Sequence, residues 1–397
     1  MKILHINEHL ALKGGVETYL FALLPMLEER GMRCHYLYAD GDPEHWPDAS
    51  RVPAVRRAQA AKEAYREVSE VLRRVRPDVI HVHNAQNEGV PAACLDYGPT
   101  VLTTHDYRWI CPANTFFYKR TREVCLRTCG PGCFTTTLHK HCLTPRLNYA
   151  VPFYRRARWA MRNAGRFARV IAPSHGARAR YVEAGFPPGR IPVVPYFCPV
   201  EPADLPRPIP ERPTITFLGR IAPNKGQEYF VEALGMLPSE VRGVMVGNLG
   251  EGGEAAMQAL SERFGCADRL ELRGWASREE VRQLLDETSV FVFPSLWPET
   301  LGIVGVEALS RGVPVVASNL GGTSEWCLEG ETGYRVPPKD ARAIRDAVLK
   351  LIVEKEKLKA FGWRGIDLVR ERFLPGTHVD ILSGLYQEAV ARRITHV

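Results

Sequence analysis

The sequence contains no run of about 18 consecutive apolar residues, so it predicts no membrane-spanning helix. Its start offers one basic residue, Lys2, and then an apolar stretch too short to be the core of a secretory signal. Repeats of solenoid period and low-complexity tracts are also absent. We therefore expect a globular chain in the cytoplasm, with any membrane contact limited to peripheral binding at the inner face of the cell membrane.

Acidic residues are scarce in the first half of the chain. Residues 1–200 carry 28 Lys and Arg against 17 Asp and Glu, whereas residues 201–397 carry 24 and 28. The excess lies between Val101 and Arg169, where 13 basic residues accompany only two acidic ones. The stripe from Arg155 to Arg169 alternates basic with aromatic and apolar residues on a predicted helix, which suits an anionic membrane surface or a phosphate-bearing lipid acceptor. A solvated helix face is the alternative.

The length of 397 residues, with 45% hydrophobic composition, is enough for two or three domains with cores of their own. Short β-branched runs alternate with helical patterns through residues 1–200 and again through 201–375, which predicts an α/β fold of two doubly wound, Rossmann-like domains. Six prolines between Pro199 and Pro213 indicate a linker. Residues 376–397 are predicted to form a helix that returns to the N-terminal domain. We expect the domains to face each other across a cleft lined by the carboxyl ends of their strands.

Two glycines, Gly14 and Gly15, follow the first predicted strand and precede the first predicted helix. Glycine lets the backbone approach a ligand closely, and the free amides of a helix start attract an anion such as a pyrophosphate. An ordinary tight turn is the alternative interpretation of this pair.

Two cations, Arg220 and Lys225, follow the first predicted strand of the second domain within the segment Gly219 to Gly226. Because both leave the carboxyl end of one strand, both can point toward a diphosphate bound there. A solvated loop with two unrelated charges is the alternative.

Two glutamates flank a predicted helix start in the second domain. Glu299 precedes a helix predicted from about Leu301 to Arg311, and Glu307 lies about two turns inside it. A carboxylate can accept hydrogen bonds from a pair of sugar hydroxyls, and the helix start offers free amides to phosphate or sugar oxygens. These amides belong to Thr300, Leu301 and Gly302. A capping glutamate and a solvated helix face are the alternatives.

Taken together, these segments resemble a known family. The chain is similar to the family 4 retaining glycosyltransferases of the GT-B fold, also described as glycosyl transferases group 1. The resemblance covers nearly the whole chain, and its motifs occur in the family's order. It rests on the E-x7-E spacing of Glu299 and Glu307, the G-R-x4-K-G segment from Gly219 to Gly226, the pair Gly14 and Gly15, and the segment Gly312 to Ala317 followed by Gly321, Gly322 and Glu325.

The resemblance implies a nucleotide-sugar donor held mainly by the second domain and an acceptor held mainly by the first. By that similarity Arg220 and Lys225 bind the diphosphate, and Glu307 binds the ribose hydroxyls. Glu299 and the amides after it bind the transferred sugar, while Gly14 and Gly15 contact the phosphates. The leaving phosphate takes the acceptor proton on the same face in this family, so the two glutamates are binding residues and not a hydrolase pair.

The family's active-site histidine matches His105, at the carboxyl end of a first-domain strand, where it would bond the sugar or the developing charge. His81 and His83 are competing candidates, and the favoured interpretation is that they are core-strand residues or residues that support the active site from behind it.

The function that the resemblance implies is transfer of a sugar from a nucleoside diphosphate to an acceptor hydroxyl with retention of configuration. A lipid-linked or polysaccharide acceptor in cell-envelope glycan synthesis is expected. No catalytic cofactor is expected, because Arg220 and Lys225 can supply the positive charge of a divalent metal. One alternative function is that of a GT-B synthase or epimerase acting on a small soluble sugar phosphate. A more remote alternative is a nucleic-acid-binding protein. No nucleic-acid partner is expected, since no recognised nucleic-acid-binding module accompanies the arginines.

Five of the ten cysteines fall between residues 111 and 142, in a predicted insertion of about residues 107–165. Thiolates clustered so closely can close a structural zinc site that orders a loop without its own core. The spacing departs from the usual C-x2-C pair, so disulfides, an iron–sulfur cluster and free thiols remain alternatives. The predicted ligands are Cys125, Cys129, Cys133 and Cys142.

Overall fold

The computed structural model describes residues 1–11, 14–204, 208–248, 250 and 252–394, and of residues 392–394 only the backbone. The chain divides into two units. The first comprises residues 1–121, 125–196 and 375–397, and the second comprises 122–124 and 197–374. Residues 205–207 of the predicted linker and residues 395–397 of the predicted C-terminal helix lie outside the described part of the chain. No described helix is long and apolar enough to cross a membrane.

The first unit contains a six-stranded parallel sheet. Its order is β6-β5-β4-β1-β2-β3. Nearly all of its strand residues are buried, as expected when helices cover both faces of a parallel sheet. The strands are β1 (Lys2–Ile6), β2 (Arg33–Tyr38), β3 (Ala49–Arg51), β4 (Val79–Val82), β5 (Thr100–Thr103) and β6 (Arg169–Ile171).

The described part of the first unit contains seven α-helices. Helix α2 is the clearest amphipathic example, since its buried residues Ala64, Val68, Val71 and Val75 recur at helical spacing. The helices are α1 (Gly15–Glu29), α2 (Ala61–Val75), α3 (Gly89–Tyr97), α4 (Gly132–Lys140), α5 (Leu147–Arg162), α6 (His175–Glu183) and α13 (Pro375–Ile394).

The C-terminal helix α13 is attached to the first unit by side-chain contacts along its length. The Tyr386 hydroxyl lies 2.6 Å from Nδ1 of His81. Arg30, at the end of α1, donates from Nε to Asp380 of α13 at 2.8 Å, although the two residues are 350 positions apart in the chain. These long-range contacts bring a late segment back onto the strands at the start of the chain.

The second unit contains another six-stranded parallel sheet, in the order β9-β8-β7-β10-β11-β12. Its strands are β7 (Thr214–Leu218), β8 (Arg242–Val246), β9 (Leu270–Arg273), β10 (Val290–Phe293), β11 (Val315–Ser318) and β12 (Gly333–Val336). Its helices are α7 (Gln227–Met236), α8 (Gly253–Arg263), α9 (Arg278–Asp286), α10 (Ile303–Ser310), α11 (Ala341–Val353) and α12 (Lys355–Arg372).

Short elements complete the described structure. Two-residue strands are His9–Leu10, Asp40–Gly41, Phe117–Tyr118 and Glu123–Val124, and 3-10 helices are Pro43–His45, Pro53–Arg56, Ala164–Arg166, Pro188–Arg190 and Gly321–Glu325.

Both sheets reverse their strand order at one point. In the first unit the chain runs outward in one direction from β1 and in the other from β4. In the second unit the reversal lies between β7 and β10. Open α/β sheets bind ligands beside such switch points, at the carboxyl ends of the strands. The predicted α/β class with two doubly wound sheets is confirmed, and the loops after these four strands are the candidate ligand-binding segments.

Candidate active site

The loops after β7 and β10 pack closely together at the switch point of the second unit. The amide of Leu296 donates to the carbonyl oxygen of Asn224 at 2.9 Å. Gly226 has a φ of 70°, and a Cβ atom built on it would lie 1.9 Å from the carbonyl oxygen of Pro294. Only glycine fits here, because the position demands both a left-handed backbone and the missing side chain. This close packing holds the side chains of the two loops near one another.

Gly226→Ala should destabilise the protein by about 2 to 4 kcal/mol, since the left-handed backbone costs about 1 kcal/mol and the clash with Pro294 adds an overpacking penalty. Gly265→Ala is the matched control, because Gly265 has a φ of +66° and nothing within 4 Å of a built Cβ. Gly265→Ala should lower the free energy of unfolding by only about 1 kcal/mol, the cost of the left-handed backbone. Urea unfolding measures both, and equal losses in the two variants would contradict the steric argument.

Lys225 and Glu299 form an ion pair at this junction. The Lys225 ammonium donates to Oε1 of Glu299 at 2.6 Å. The same oxygen accepts from the Ser295 hydroxyl at 2.9 Å and from the Trp297 indole at 2.5 Å. Glu299 is buried, so these donors offset the cost of removing its charge from water. The structure thus brings together two residues that the sequence analysis assigned to neighbouring ligand groups.

Arg220, the other predicted cation, is exposed and forms no ion pair or hydrogen bond through its side chain with any described residue. It follows β7, and the amide of the next residue, Ile221, donates to the carbonyl oxygen of Asn248 at 3.0 Å. An unpaired guanidinium beside a switch point is free to bind a phosphate bidentately.

Helix α10 begins at Ile303, two residues later than predicted. The reason is Gly302, whose φ of 83° is left-handed and cannot belong to the helix. Among described residues, the amides of Leu301 and Gly302 donate to no backbone acceptor. Thr300 and Leu301 are buried beside Glu299. The amides of Leu301 and Gly302 are therefore available for ligand oxygens.

Glu307 lies within α10 and is half-buried. Burial raises the pKa of its carboxyl to about 7, and the nearby Arg278 guanidinium offsets this only in part. The carboxyl has no hydrogen-bond partner among the described residues. A desolvated acceptor of this kind gains energy from any ligand that donates hydroxyl protons to it.

A cavity of about 310 Å³ lies at the ends of β8 and β9 and was not predicted from the sequence. Val246, Arg273, Trp275 and Leu284 contribute to its lining. Trp275 is 80% exposed, although indole rings are usually buried or paired. The available signal was a tryptophan directly after a strand, at the same edge as Arg220. This cavity offers an aromatic surface for a flat ring.

The glycine pair of the first unit lies at the start of α1. Gly14 is the N-cap with an extended backbone, and Gly15 is the first helical residue. Both are exposed, and a Cβ built on Gly15 would touch nothing within 4 Å. The Glu17 carboxylate lies in the first turn of the helix, where a Cβ on Gly14 would come within 3.2 Å of it. The preceding Lys13 lies outside the described residues.

His105 lies just after β5 at the carboxyl edge of the first sheet, and both of its ring nitrogens have partners. Nε2 is 2.9 Å from Nδ1 of His83, and Nδ1 is 2.8 Å from the hydroxyl of Tyr196. Burial lowers the pKa of His105 to about 3, so the ring is neutral at pH 7. His81 instead bonds Tyr386 and Thr103 in the core. His83 is therefore the one of the two competing histidines that supports His105.

His83 also extends the network inward, because its Nε2 lies 3.2 Å from Nδ1 of His5. Within the described part of the chain, the one group of three metal-capable residues whose ligand atoms all lie within 4.8 Å of one another is His5, His81 and His83. All but one of the ring nitrogens in this trio have a hydrogen-bond partner; the exception is Nε2 of His5. The trio is accordingly a hydrogen-bonded core cluster.

A buried network of charges lies beside His105 and was missed by the sequence analysis. Arg108 donates to both carboxylate oxygens of Asp106 and also pairs with Glu8, which follows β1. Arg156 is completely buried and donates to Oδ1 of Asn114 at 2.6 Å and to the carbonyl oxygen of Arg108 at 3.1 Å. Two carboxylates offset the burial of two guanidinium groups. The network fixes the loop after β5 that carries His105.

This network corrects the predicted basic stripe. Arg156 was expected on an exposed face but lies in the core, and Arg169 is buried and pairs with Glu388 at 2.5 Å. Two further arginines of the stripe pair with carboxylates, Arg155 with Glu88 and Arg166 with Asp96. The stripe is wrong as a continuous free surface, because most of its charge is used inside the first unit.

The five clustered cysteines line one small cavity, which fits a water molecule or a single ion. Cys111, which was not among the four predicted ligands, also lines this cavity. The thiols are free, and among the described residues no three of these sulfur atoms all lie within 4.8 Å of one another. The cavity is lined by Cys111, Cys125, Cys129, Cys133 and Cys142 together with Phe116, Phe117 and Tyr118, among others.

Two protein-family models match the chain. The model described as Glycosyltransferase Family 4 matches residues 13–201, and the model described as Glycosyl transferases group 1 matches residues 206–367. Together they cover most of both units.

Two curated relatives share about a third of their residues with the chain over the matched part. A GDP-mannose-dependent alpha-(1-6)-phosphatidylinositol monomannoside mannosyltransferase of Mycobacterium tuberculosis is 32% identical over 166 residues, which is 40% of this chain and 43% of that protein. A D-inositol 3-phosphate glycosyltransferase of Mycobacteroides abscessus is 33% identical over 144 residues, which is 36% and 32%. The matches span less than half the length of these relatives.

The fold is shared with solved structures over nearly the whole chain. One of them is HepE of Anabaena in complex with UDP and glucose. The alignment covers 97% of this chain and 98% of that chain, with a TM-score of 0.69 and 18% sequence identity. Both units thus have counterparts in a GT-B structure. The two family models, the sheet order and this likeness together show that the chain belongs to the family 4 glycosyltransferases, the glycosyl transferases group 1, of the GT-B fold.

Proposed function

We propose that the protein transfers a sugar from a nucleoside diphosphate sugar to an acceptor hydroxyl with retention of configuration. The observation that carries the proposal is the junction of the β7 and β10 loops. There Lys225 is bonded to a buried Glu299, and the Arg220 side chain on the same loop has no partner among the residues that the structure describes. Positive charge, free amides and a carboxylate meet at a switch point, which suits an anionic ligand that also carries sugar hydroxyls.

Each part of the donor has a proposed partner in the second unit. Arg220 and Lys225 bind the diphosphate, and Glu307 accepts hydrogen bonds from the ribose hydroxyls. Glu299 and the amides of Thr300, Leu301 and Gly302 bind the transferred sugar. The cavity beside Trp275 takes the base, because an exposed indole offers a stacking surface.

In the first unit, Gly14 and Gly15 are proposed to contact the donor phosphates, because their exposed amides begin a helix. His105 is proposed to bond the transferred sugar. Since Tyr196 and His83 occupy its two ring nitrogens, the sugar must replace the Tyr196 hydroxyl, and His83 then fixes which nitrogen faces the substrate.

The proposed reaction needs no metal, because Arg220 and Lys225 stabilise the charge that develops on the leaving diphosphate. The leaving phosphate accepts the proton of the attacking hydroxyl on the face from which it departs. The new bond then forms on that same face, which gives retention. The carboxylate of Glu299 holds the sugar and forms no covalent bond to it.

A lipid-linked or polysaccharide acceptor of the cell envelope is the proposed acceptor class. One relative named above is described as acting on a phosphatidylinositol mannoside, which is a lipid. The other is described by a soluble phosphate, D-inositol 3-phosphate, so a small soluble acceptor phosphate is the second candidate. Turnover of soluble acceptors without any lipid would favour the second candidate.

The proposal is tested by calorimetric titration of the full chain with UDP, GDP, ADP and dTDP sugars. We expect one base to bind with a dissociation constant in the micromolar range, where most donor sites operate. Absence of binding by every member of the panel, in a protein that is folded by circular dichroism, would overturn it.

Glu307→Ala should raise the donor dissociation constant, whereas Glu299→Ala and His105→Ala should mainly lower turnover, because their proposed contacts are to the transferred sugar. Acidification from pH 8 to 6 protonates Glu307, so it should weaken donor binding in the parent and not in Glu307→Ala. Glu262→Ala, on an exposed part of α8, is the control. The kinetics of donor hydrolysis separate effects on donor binding from effects on turnover. Identical losses of turnover at saturating donor in all three variants would show that the proposed division between ribose and sugar contacts is wrong.

The cysteine cavity is proposed to hold one structural zinc ion per chain through Cys125, Cys129, Cys133 and Cys142. Elemental analysis of protein purified without chelator should find about one zinc, and Cys129→Ser should lose it. Cys266→Ser, which changes a lone buried cysteine of the second unit, should retain it. Metal-free protein with full activity and reactive thiols would end the zinc proposal.

A further inference from the structure

Exposed apolar side chains are concentrated in the cysteine-rich insertion. Ten large apolar side chains are exposed in the described chain, and five of them lie within residues 126–151. The most exposed are Leu126 at 80%, Leu147 at 68% and Leu138 at 60%; Tyr149 and Val151 complete the set. A group of exposed leucines and aromatics of this kind indicates a binding surface, because single exposed residues are normally scattered.

Helical spacing and one ring contact join these residues into a surface. Leu147, Val151 and Tyr154 recur at four and three residues along α5 and therefore share one face. Phe134 and Leu138 are one turn apart on α4. The rings of Phe134 and Tyr154 are in contact, with centroids 4.7 Å apart. We call the apolar surface formed by Phe134, Leu138, Leu147, Val151 and Tyr154 the insertion surface.

The insertion surface lies in the most basic part of the chain. No acidic residue occurs from Val124 to Val182, a stretch of 59 residues with 11 Lys and Arg. Several of these are buried or paired, as described above. Three exposed arginines, Arg127, Arg146 and Arg162, form no ion pair with any residue in the described ranges and supply free positive charge in the same segment of the chain.

We propose that the insertion surface docks the protein on a bilayer rich in anionic lipid. The apolar side chains enter the boundary between headgroups and acyl chains, and the three arginines pair with lipid phosphates. A nucleic acid would match the charge, but it would leave the exposed leucines in water. We expect reversible binding to the bilayer. Salt should weaken this binding because the exposed arginines attract the lipid phosphates through solvent.

Docking stands apart from the proposed transfer reaction, since it uses neither Lys225 nor Glu307 and is measured without donor. The two proposals can therefore fail separately. If both hold, the insertion brings the chain to the surface where a lipid-linked acceptor resides.

Sedimentation of the full chain with vesicles tests the proposal. The parent should bind vesicles of phosphatidylcholine with 30% phosphatidylglycerol at low salt, and 0.5 M NaCl should weaken binding at least tenfold. The triple variant Leu138→Glu, Leu147→Glu, Val151→Glu should lose binding at least tenfold. So should Arg127→Gln, Arg146→Gln, Arg162→Gln, which changes only exposed side chains and keeps the fold testable if the glutamate variant misfolds. Val353→Glu and Arg263→Gln, at exposed positions of the second unit, are the controls.

Three outcomes would overturn the proposal. Failure of the parent to bind the anionic vesicles at low salt would show that the insertion surface does not dock on a bilayer. Equal binding by the arginine variant and the parent would show that the charges do not act. A dimeric parent that becomes monomeric in the glutamate variant, with vesicle binding unchanged, would assign the insertion surface to contact between two copies of the chain.

Discussion

Lowering the pH from 7 to 5 is expected to unfold the first unit while the second remains folded. Burial keeps five histidines of the first unit neutral. It lowers the pKa of His5 and His105 to about 3 and that of His378 to about 4, and it holds the pKa values of His81 and His83 well below the usual value. The unfolded chain binds protons on these histidines below pH 6.5, whereas the folded chain does not. Stability is therefore lost as the pH falls from 6.5 toward 3.

The size of this effect follows from the shift. At pH 5, each histidine whose folded pKa lies near 3 costs about 2 kcal/mol relative to pH 8, so His5 and His105 alone remove about 4 kcal/mol. Domains are stable by only about 5 to 15 kcal/mol, which makes this loss decisive. No histidine lies between residues 197 and 374, so the second unit lacks this source of acid sensitivity.

Hydrogen exchange read by mass spectrometry, corrected for the intrinsic pH dependence of exchange, measures the two units separately. Peptides from β1, β4 and β5 should lose protection at pH 5, while peptides from β7 and β10 keep it. His139→Gln, which changes an exposed histidine, should leave the transition unchanged. Simultaneous loss of protection in both sheets, or none in either, would show that the buried histidines do not control acid stability.

Arg220→Ala should weaken binding of the nucleoside diphosphate by about 1.5 to 3 kcal/mol, the usual value of a charge-assisted hydrogen bond, which is roughly 10- to 150-fold in the dissociation constant. Its unfolding midpoint should not move, because the side chain is exposed and has no partner among the described residues. Lys225→Ala should weaken binding similarly and also lower stability, since it leaves the buried Glu299 without its cation.

Calorimetry and thermal unfolding of both variants, with Arg263→Ala as an exposed control, separate the two effects. A diphosphate affinity unchanged in both variants would remove the loop after β7 from the donor site. A Lys225→Ala variant as stable as the parent would instead show that the ion pair with Glu299 adds nothing to folding.

The sequence predicted the elements that position the site because local patterns determine them. Alternating strand and helix patterns predicted two parallel sheets, and the carboxyl-end rule brought the loops of Arg220 and Glu299 to one edge. The direct bond between Lys225 and Glu299 was not predicted, because it depends on how two loops 74 residues apart pack. The start of α10 was placed two residues early because sequence alone did not show that Gly302 is left-handed.

The basic stripe shows where such reasoning fails. Periodicity placed Arg156 on a helix but could not show that Asn114 and the network of Glu8 and Asp106 would draw it into the core. Those partners lie 42 or more residues away in sequence. Charge counted along the chain therefore overestimated the free surface of α5, and the exposed side chains of the insertion became visible only in the fold.

Proton NMR of the donor that binds best, incubated with the full chain, tests the central claim most directly. The account predicts that the nucleoside diphosphate accumulates and that the released or transferred sugar first appears with the anomeric configuration of the donor. The double variant Arg220→Ala, Lys225→Ala should leave the donor intact over the same time. A donor that binds tightly and never loses its sugar, or a first product of inverted configuration, would contradict the account.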